Sequence, residues 1–204
     1  MAIKVAINGF GRIGRLVFKA MQNEKNMEFL EFVTRDKLDM LLKEQNLQSQ
    51  ASLDNQAAAE LGKKIGVSAF VVGKVNSVIT DYPPESKTNV SNEADIYQGK
   101  DKPKRHVTAL VTITTRKGKA IVKCSYQIID VNKGTITKSG AIDKTVESVI
   151  QFGRYDGAED ALSQENRDLC SKEDQFPPNE ELLVEQAIED AAAQLAQEIT
   201  SYYK

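Results

Sequence analysis

The chain has 204 residues, 41% hydrophobic and 27% charged, with a net charge of −2. That balance suits one globular domain and gives no electrostatic reason to expect nucleic acid or an anionic membrane as a partner. A single histidine, His106, and two cysteines, Cys124 and Cys170, exclude a disulfide framework and histidine-based metal or nucleophile clusters, and no apolar run approaches the ~20 residues of a membrane-spanning helix.

The opening MAIKVAINGF lacks the apolar stretch and small-residue cleavage site of a secretory signal. The expectation is a cytoplasmic chain, or one whose leader is missing from this sequence. Residues 3–7 read as a buried strand, residues 8–11 as a turn, and residues 12–24 as a helix with Ile13, Leu16, Val17 and Ala20 on one face. Residues 27–33 read as a second strand. Residues 35–45 read as a second helix, with Leu38, Leu41 and Leu42 inward. Asp54 is placed to cap a third helix over residues 55–65, which Gly66 would end in a left-handed conformation. Residues 68–79 complete this half as a valine-rich strand.

Residues 81–105 are polar and carry Pro83, Pro84 and Pro103 without a sustained period, so they read as a long loop or insertion. Three strands should follow as a meander, over residues 107–115, 120–130 and 135–145. Turns at 116–119 and 131–134 would each use a glycine. A polar stretch, 155–175, leads to Pro177-Pro178 and a last helix with Leu183, Ala187, Ile188, Ala191, Leu195 and Ile199 at helical spacing. The fold class predicted is α/β: a single domain over residues 1–204, its helices packed on a mixed sheet in the order β-α-β-α-α-β-β-β-β-α.

Gly9-Phe10-Gly11-Arg12-Ile13-Gly14 matches G-x-G-x-x-G between a strand and a helix. Gly9 would permit the tight turn, Gly11 a close approach to a pyrophosphate, and Gly14 close helix–strand packing. The longer string of residues 1–29 resembles the N-terminus of bacterial glyceraldehyde-3-phosphate dehydrogenases. The resemblance implies that Asn8, Gly9, Phe10, Gly11, Arg12, Ile13 and Gly14 derive from an NAD-binding loop. Asp36 is the one acidic residue at the right distance for the ribose, in Thr34-Arg35-Asp36 where that family has Asn-Asp; it could equally start a helix. The family's Ser-Cys-Thr-Thr-Asn stretch is not matched: Cys124 sits in Lys-Cys-Ser-Tyr, on a strand face with Ala120, Val122, Tyr126 and Ile128. It reads as a core residue, and the chain as non-catalytic.

From residue 30 onward a second resemblance takes over. FVTRDKLDMLLKEQNLQ and DNQAAAELGKKIGVSAFVVGKV, with YQIIDVNKGTI and FPPNEELLVEQAIEDAAAQLAQEI, resemble the CsgG-like family, typified by the curli secretion channel of the bacterial outer membrane. Membership would imply a cell-envelope or periplasmic setting and function through protein contacts. That family's pore uses two lipid-facing hairpins per subunit, and the polar 81–105 stretch suits neither, so no barrel is expected. The partners expected are proteins, further copies of this chain among them. No cofactor is expected on this reading; the alternative is a nucleotide-binding module that takes NAD on the glycine loop.

Overall fold

The computed structural model describes residues 3–9, 11–21, 27–33, 55–97, 99 and 103–203. The described strands are β1 (Ile3–Gly9), β2 (Met27–Val33), β3 (Ala69–Asp81), β4 (Ser86–Ile96), β5 (Arg105–Asp130) and β6 (Thr135–Gly157). The helices are α1 (Arg12–Met21), α2 (Asn55–Ile65), α3 (Gln164–Ser171) and α4 (Glu180–Tyr202), with a 3-10 turn at Glu159–Ala161. Strand order is β2-β1-β3-β5-β4, and β6 also pairs with β5. The α/β class and the alternation of elements are those read from the sequence. The helix expected over residues 35–45, and Asp54, lie outside the described residues.

The chain forms two compact units. Unit 1 comprises Met1–Ile79, Ala120–Val146 and Val184–Lys204. Unit 2 comprises Thr80–Lys119 and Glu147–Leu183.

In unit 1, β1 lies between β2 and β3 and runs parallel to both. α2 ends as its sequence dictates. Gly66 takes φ +75°, its N–H donates to the Lys63 carbonyl (3.2 Å), and the Val67 N–H donates to the Gly62 carbonyl (3.0 Å). This paired closure needs a left-handed residue just past the helix, which glycine provides without strain. The helix then packs in a cluster of Ala6, Val33, Ala58, Leu61, Val67, Phe70, Ile129 and Val131. Gly62 is a packing glycine as well: a Cβ there would run into both methyl groups of Val131. On α4, Ala187, Ala191, Leu195 and Ile199 are buried as their spacing predicts, together with Ala192 and Ala196, and Ile188 is half-buried.

Unit 2 departs from the sequence reading in three places. First, the stretch expected as a loop contains β4, antiparallel to β5 in an unbroken register from Ser86↔Thr115 to Ile96↔Arg105. Its inward positions alternate apolar Val90 and Ile96 with Thr88, Asn92 and Ala94, so the pattern is faint; pairing and packing supply what propensity does not. Val107, Ala109, Val111, Ala161 and Leu162 form the core it joins, through Ala94 and Ile96. Second, no turn exists at residues 116–119, because β5 continues straight through. Gly118 is there for space, since a Cβ would meet the Tyr82 ring at 2.7 Å and Leu183 at 3.1 Å. Third, β6 runs on to Gly157, and the polar stretch beyond it holds the 3-10 turn and α3.

Candidate functional site

The glycine loop begins where β1 ends. Asn8, nearly buried, pairs with Val33 of β2 on one side and Val72 of β3 on the other. The chain passes from β1 to β2 on one side and resumes at β3 on the other, so the loop lies at a topological switch point, where parallel sheets bind ligands beyond their carboxyl ends. Gly9 takes φ +91°, and a Cβ there would collide with the Gly73 carbonyl oxygen of β3. Two demands therefore fall on Gly9: a turn conformation and a strand approach that a side chain would block. Gly11, at φ +51°, faces open space and is exposed, the surface that a pyrophosphate requires.

Arg12 is exposed at the start of α1, while Ile13 and Gly14 are buried with Val17 and Met21. The first turn of α1 holds no acidic residue, so the partial positive charge of the helix end is not neutralised locally. Phe10 and Asp36 lie outside the described residues. Beyond the last pair, Gly9↔Gly73, β3 continues from Lys74 through Ile79 within unit 1.

The cysteines carry no activated thiolate. Cys124 is fully buried in β5, and burial, then the charges of Asp143 and Glu198, raise its pKa. Its strand companions Ala120, Val122, Tyr126 and Ile128 are buried with it, as the sequence pattern predicts. Cys170 is likewise raised by burial, partly offset by Arg154. A thiol nucleophile needs the opposite shift. His106 stands exposed in unit 2, its Nδ1 3.0 Å from Asp95 Oδ1. Among the described residues no group of three His, Cys, Asp or Glu side chains is placed to hold a metal.

Three polar centres were not legible in the sequence. In unit 1, the buried Tyr126 hydroxyl donates to Glu198, whose other carboxylate oxygen accepts from Gln194 Nε2 (3.0 Å). Lys138 Nζ lies 3.8 Å from the same carboxylate. Burial raises the Glu198 pKa, but the Tyr126 and Gln194 hydrogen bonds and Lys138 outweigh it, and the net shift is downward. In unit 2, the Arg116 guanidinium pairs with Glu85 (2.9 Å) and Asp174, donates to the Gln175 carbonyl (2.8 Å), and stacks on Phe176 at 3.8 Å. A second network centres on Asn92. Its Oδ1 accepts from the Ser163 N–H (3.1 Å) and from Asn166 Nδ2 (2.9 Å), which fixes the start of α3 against β4.

Residues 3–78 match the family model for the NAD-binding domain of glyceraldehyde 3-phosphate dehydrogenase. The likeness to that enzyme, expected over residues 1–29, thus runs on across α2 and most of β3, overlapping the segment that resembles CsgG-like proteins. Glyceraldehyde-3-phosphate dehydrogenase of Mycoplasma pneumoniae is 38% identical over 96 residues, 46% of this chain and 23% of that enzyme. The match thus spans under a quarter of the curated relative's length.

Among solved structures, a hypothetical protein from Chlamydia trachomatis aligns over 96% of each chain at 6% identity and a TM-score of 0.42. A lipoprotein from Neisseria meningitidis aligns over 96% of this chain and 99% of its own, at 12% identity and a TM-score of 0.37. A putative lipoprotein from Caulobacter crescentus aligns over 98% of this chain and 86% of its own, at 10% identity and a TM-score of 0.33. Among the described residues no helix is long and apolar enough to cross a membrane.

Proposed function

We propose that the chain is a non-enzymatic, CsgG-like accessory domain of cell-envelope assembly or secretion, and that it works through protein contacts. The observation that carries this reading is an edge of unit 2 that has no strand partner among the described residues. β4 is an end strand of the sheet path, 11 residues long, in unbroken register with β5 and free of proline. Proteins usually blunt such edges with bulges, proline, brevity or charge, because unpaired backbone groups recruit another chain; of these β4 carries only charge, in Lys87, Glu93 and Asp95. Large apolar side chains in the same unit are also exposed, among them Leu110, Val149 and Phe176, the last 74% accessible. Two of the strings that resemble CsgG-like proteins, residues 58–73 and 126–136, share one core through Gly62 and Val131, so the resemblance falls on residues that pack together.

A photo-crosslinking residue at Ser91 or Phe176 of the full chain, in its native cell, tests the reading. Discrete adducts with envelope proteins or with a second copy are expected, against none from Lys63 on the exposed side of α2. Uncrosslinked monomer from all three positions contradicts it.

A second reading is favoured by a specific observation. The exposed Gly11 at an un-neutralised helix start, within a segment matched by an NAD-binding family, supports a nucleotide-binding module. On that reading Asn8, Gly9, Gly11 and Arg12 would line the phosphates, with Phe10 and Asp36 completing the loop and ribose contacts.

A further inference from the structure

The edge strand suits one partner better than others, namely a second copy of itself. We infer that two chains join through their β4 strands, antiparallel, about a two-fold axis at Ser91. The inference rests on the protein-contact reading and names the partner.

The first argument is backbone geometry. In the pairing with β5, the residues of β4 keep one constant register over its whole length. The opposite edge of β4 has no strand partner among the described residues. A regular strand exposes alternate N–H and C=O groups along that edge, and a second regular strand satisfies them without rearrangement.

The second argument is charge complementarity. The outward-facing residues of β4 are Lys87, Asn89, Ser91, Glu93 and Asp95, and all are exposed. An antiparallel copy centred on Ser91 sets Lys87 opposite the other copy's Asp95, and Asn89 opposite its Glu93. Symmetry repeats both pairs, so each copy supplies one cation and receives one. Parallel pairing in register would set Lys87 beside Lys87 and Asp95 beside Asp95. Opposite charges directly across a ladder stabilise it and like charges destabilise it, so the antiparallel register is selected. Within the chain Lys87 lies 3.1 Å from Glu85 and Asp95 3.0 Å from His106, all at exposed positions where the side chains can turn to the other copy.

The third argument is that the inward face already tolerates an added strand. Asn92 is committed to Ser163 and Asn166 within its own chain, while Thr88 and Ala94 would meet across the new ladder as small side chains.

Sedimentation of the full chain, with a disulfide test in a Cys170→Ser background, decides the matter. The expected result is a concentration-dependent dimer. Lys87→Asp and Asp95→Lys should each weaken it by roughly tenfold, from two like-charge pairs per interface, and the double swap should restore it. Ser91→Cys should form an intermolecular disulfide on mild oxidation, because directly opposed residues lie about 4.5–5.5 Å apart at Cα, within disulfide range. Far-UV circular dichroism separates a broken interface from a broken fold, and the disulfide test is independent of the swaps. A chain that stays monomeric, or a dimer that ignores both swaps and yields no Ser91→Cys disulfide, overturns the inference. Adducts with other envelope proteins in that case would leave the protein-contact reading standing, while their absence as well would remove both.

Discussion

Unit 1 and unit 2 are held by different means. Both units use glycines that let chain segments touch, Gly9 against Gly73 and Gly62 against Val131 in unit 1 and Gly118 against the Tyr82 ring in unit 2, but unit 1 closes mainly on buried apolar side chains. Unit 2 has a smaller apolar core and ties its segments with polar groups: Arg116 to the 174–176 stretch, and Asn92 to the start of α3. The difference teaches where each unit should be fragile. Close packing punishes lost volume, whereas a polar tie punishes a lost partner.

The largest effect should come from unit 1. Leu195 is fully buried on α4, and Leu195→Ala should cost ~2–5 kcal/mol of unfolding free energy. Gln197→Ala, exposed on the same helix, should cost little; Gln194 is a poorer control because it donates to Glu198. Denaturant midpoints measure both. Equal shifts would mean that α4 is not docked by its apolar face.

The comparison sharpens in unit 2. Asn92→Ala removes one acceptor and leaves the Ser163 N–H and the buried Asn166 amide without it, at about 1–3 kcal/mol. Hydrogen exchange should rise first in α3 and not in α2. A uniform rise across both would show that the two units unfold as one and would break the comparison.

A smaller effect is tied to pH. Burial first, then the Glu198 hydrogen bond and charge, raise the Tyr126 pKa above its ordinary value of 10.0. A group whose folded pKa is raised contributes stability that is complete below its unfolded pKa and lost as pH climbs through the folded one. Stability should therefore fall above pH 10, and Tyr126→Phe should flatten that fall. The same substitution should cost about 1.5 kcal/mol at neutral pH, the low end for a charged partner, because Glu198 remains partly hydrated. An unchanged alkaline limb would remove Tyr126 as its cause.

The sequence revealed unit 1 far better than unit 2, for reasons visible in single residues. Gly66 after a regular apolar stripe marks the end of α2, and the run Met27–Val33 reads as the strand it is. The loop glycines Gly9 and Gly11 are legible because their spacing encodes a turn, although the conflict between Gly9 and Gly73 is tertiary and could not be read. β4 was hidden because its register is set by β5 and its inward Asn92 looks like a loop residue until Ser163 and Asn166 surround it. Gly118 misled for the converse reason: a glycine needed for space at Tyr82 resembles one needed for a turn. Arg116, the hub of unit 2, carries no local signal, since its partners lie far from it in sequence.

If the chain works by contact, its glycine loop serves as a fold element and gives NAD no tight site. Calorimetric titration with NAD tests this most directly. The loop offers backbone to a pyrophosphate at Gly11, but Thr34-Arg35-Asp36 stands where the dehydrogenase family has its Asn-Asp ribose pair. Each charged hydrogen bond forgone costs roughly 1.5–3 kcal/mol, and about 1.4 kcal/mol is a factor of ten in affinity. Two such losses carry a micromolar site to the millimolar range. NAD should bind no tighter than ~1 mM, with Gly11→Val indistinguishable from the original chain. Micromolar binding that Gly11→Val abolishes would contradict it and establish the loop as a working nucleotide site.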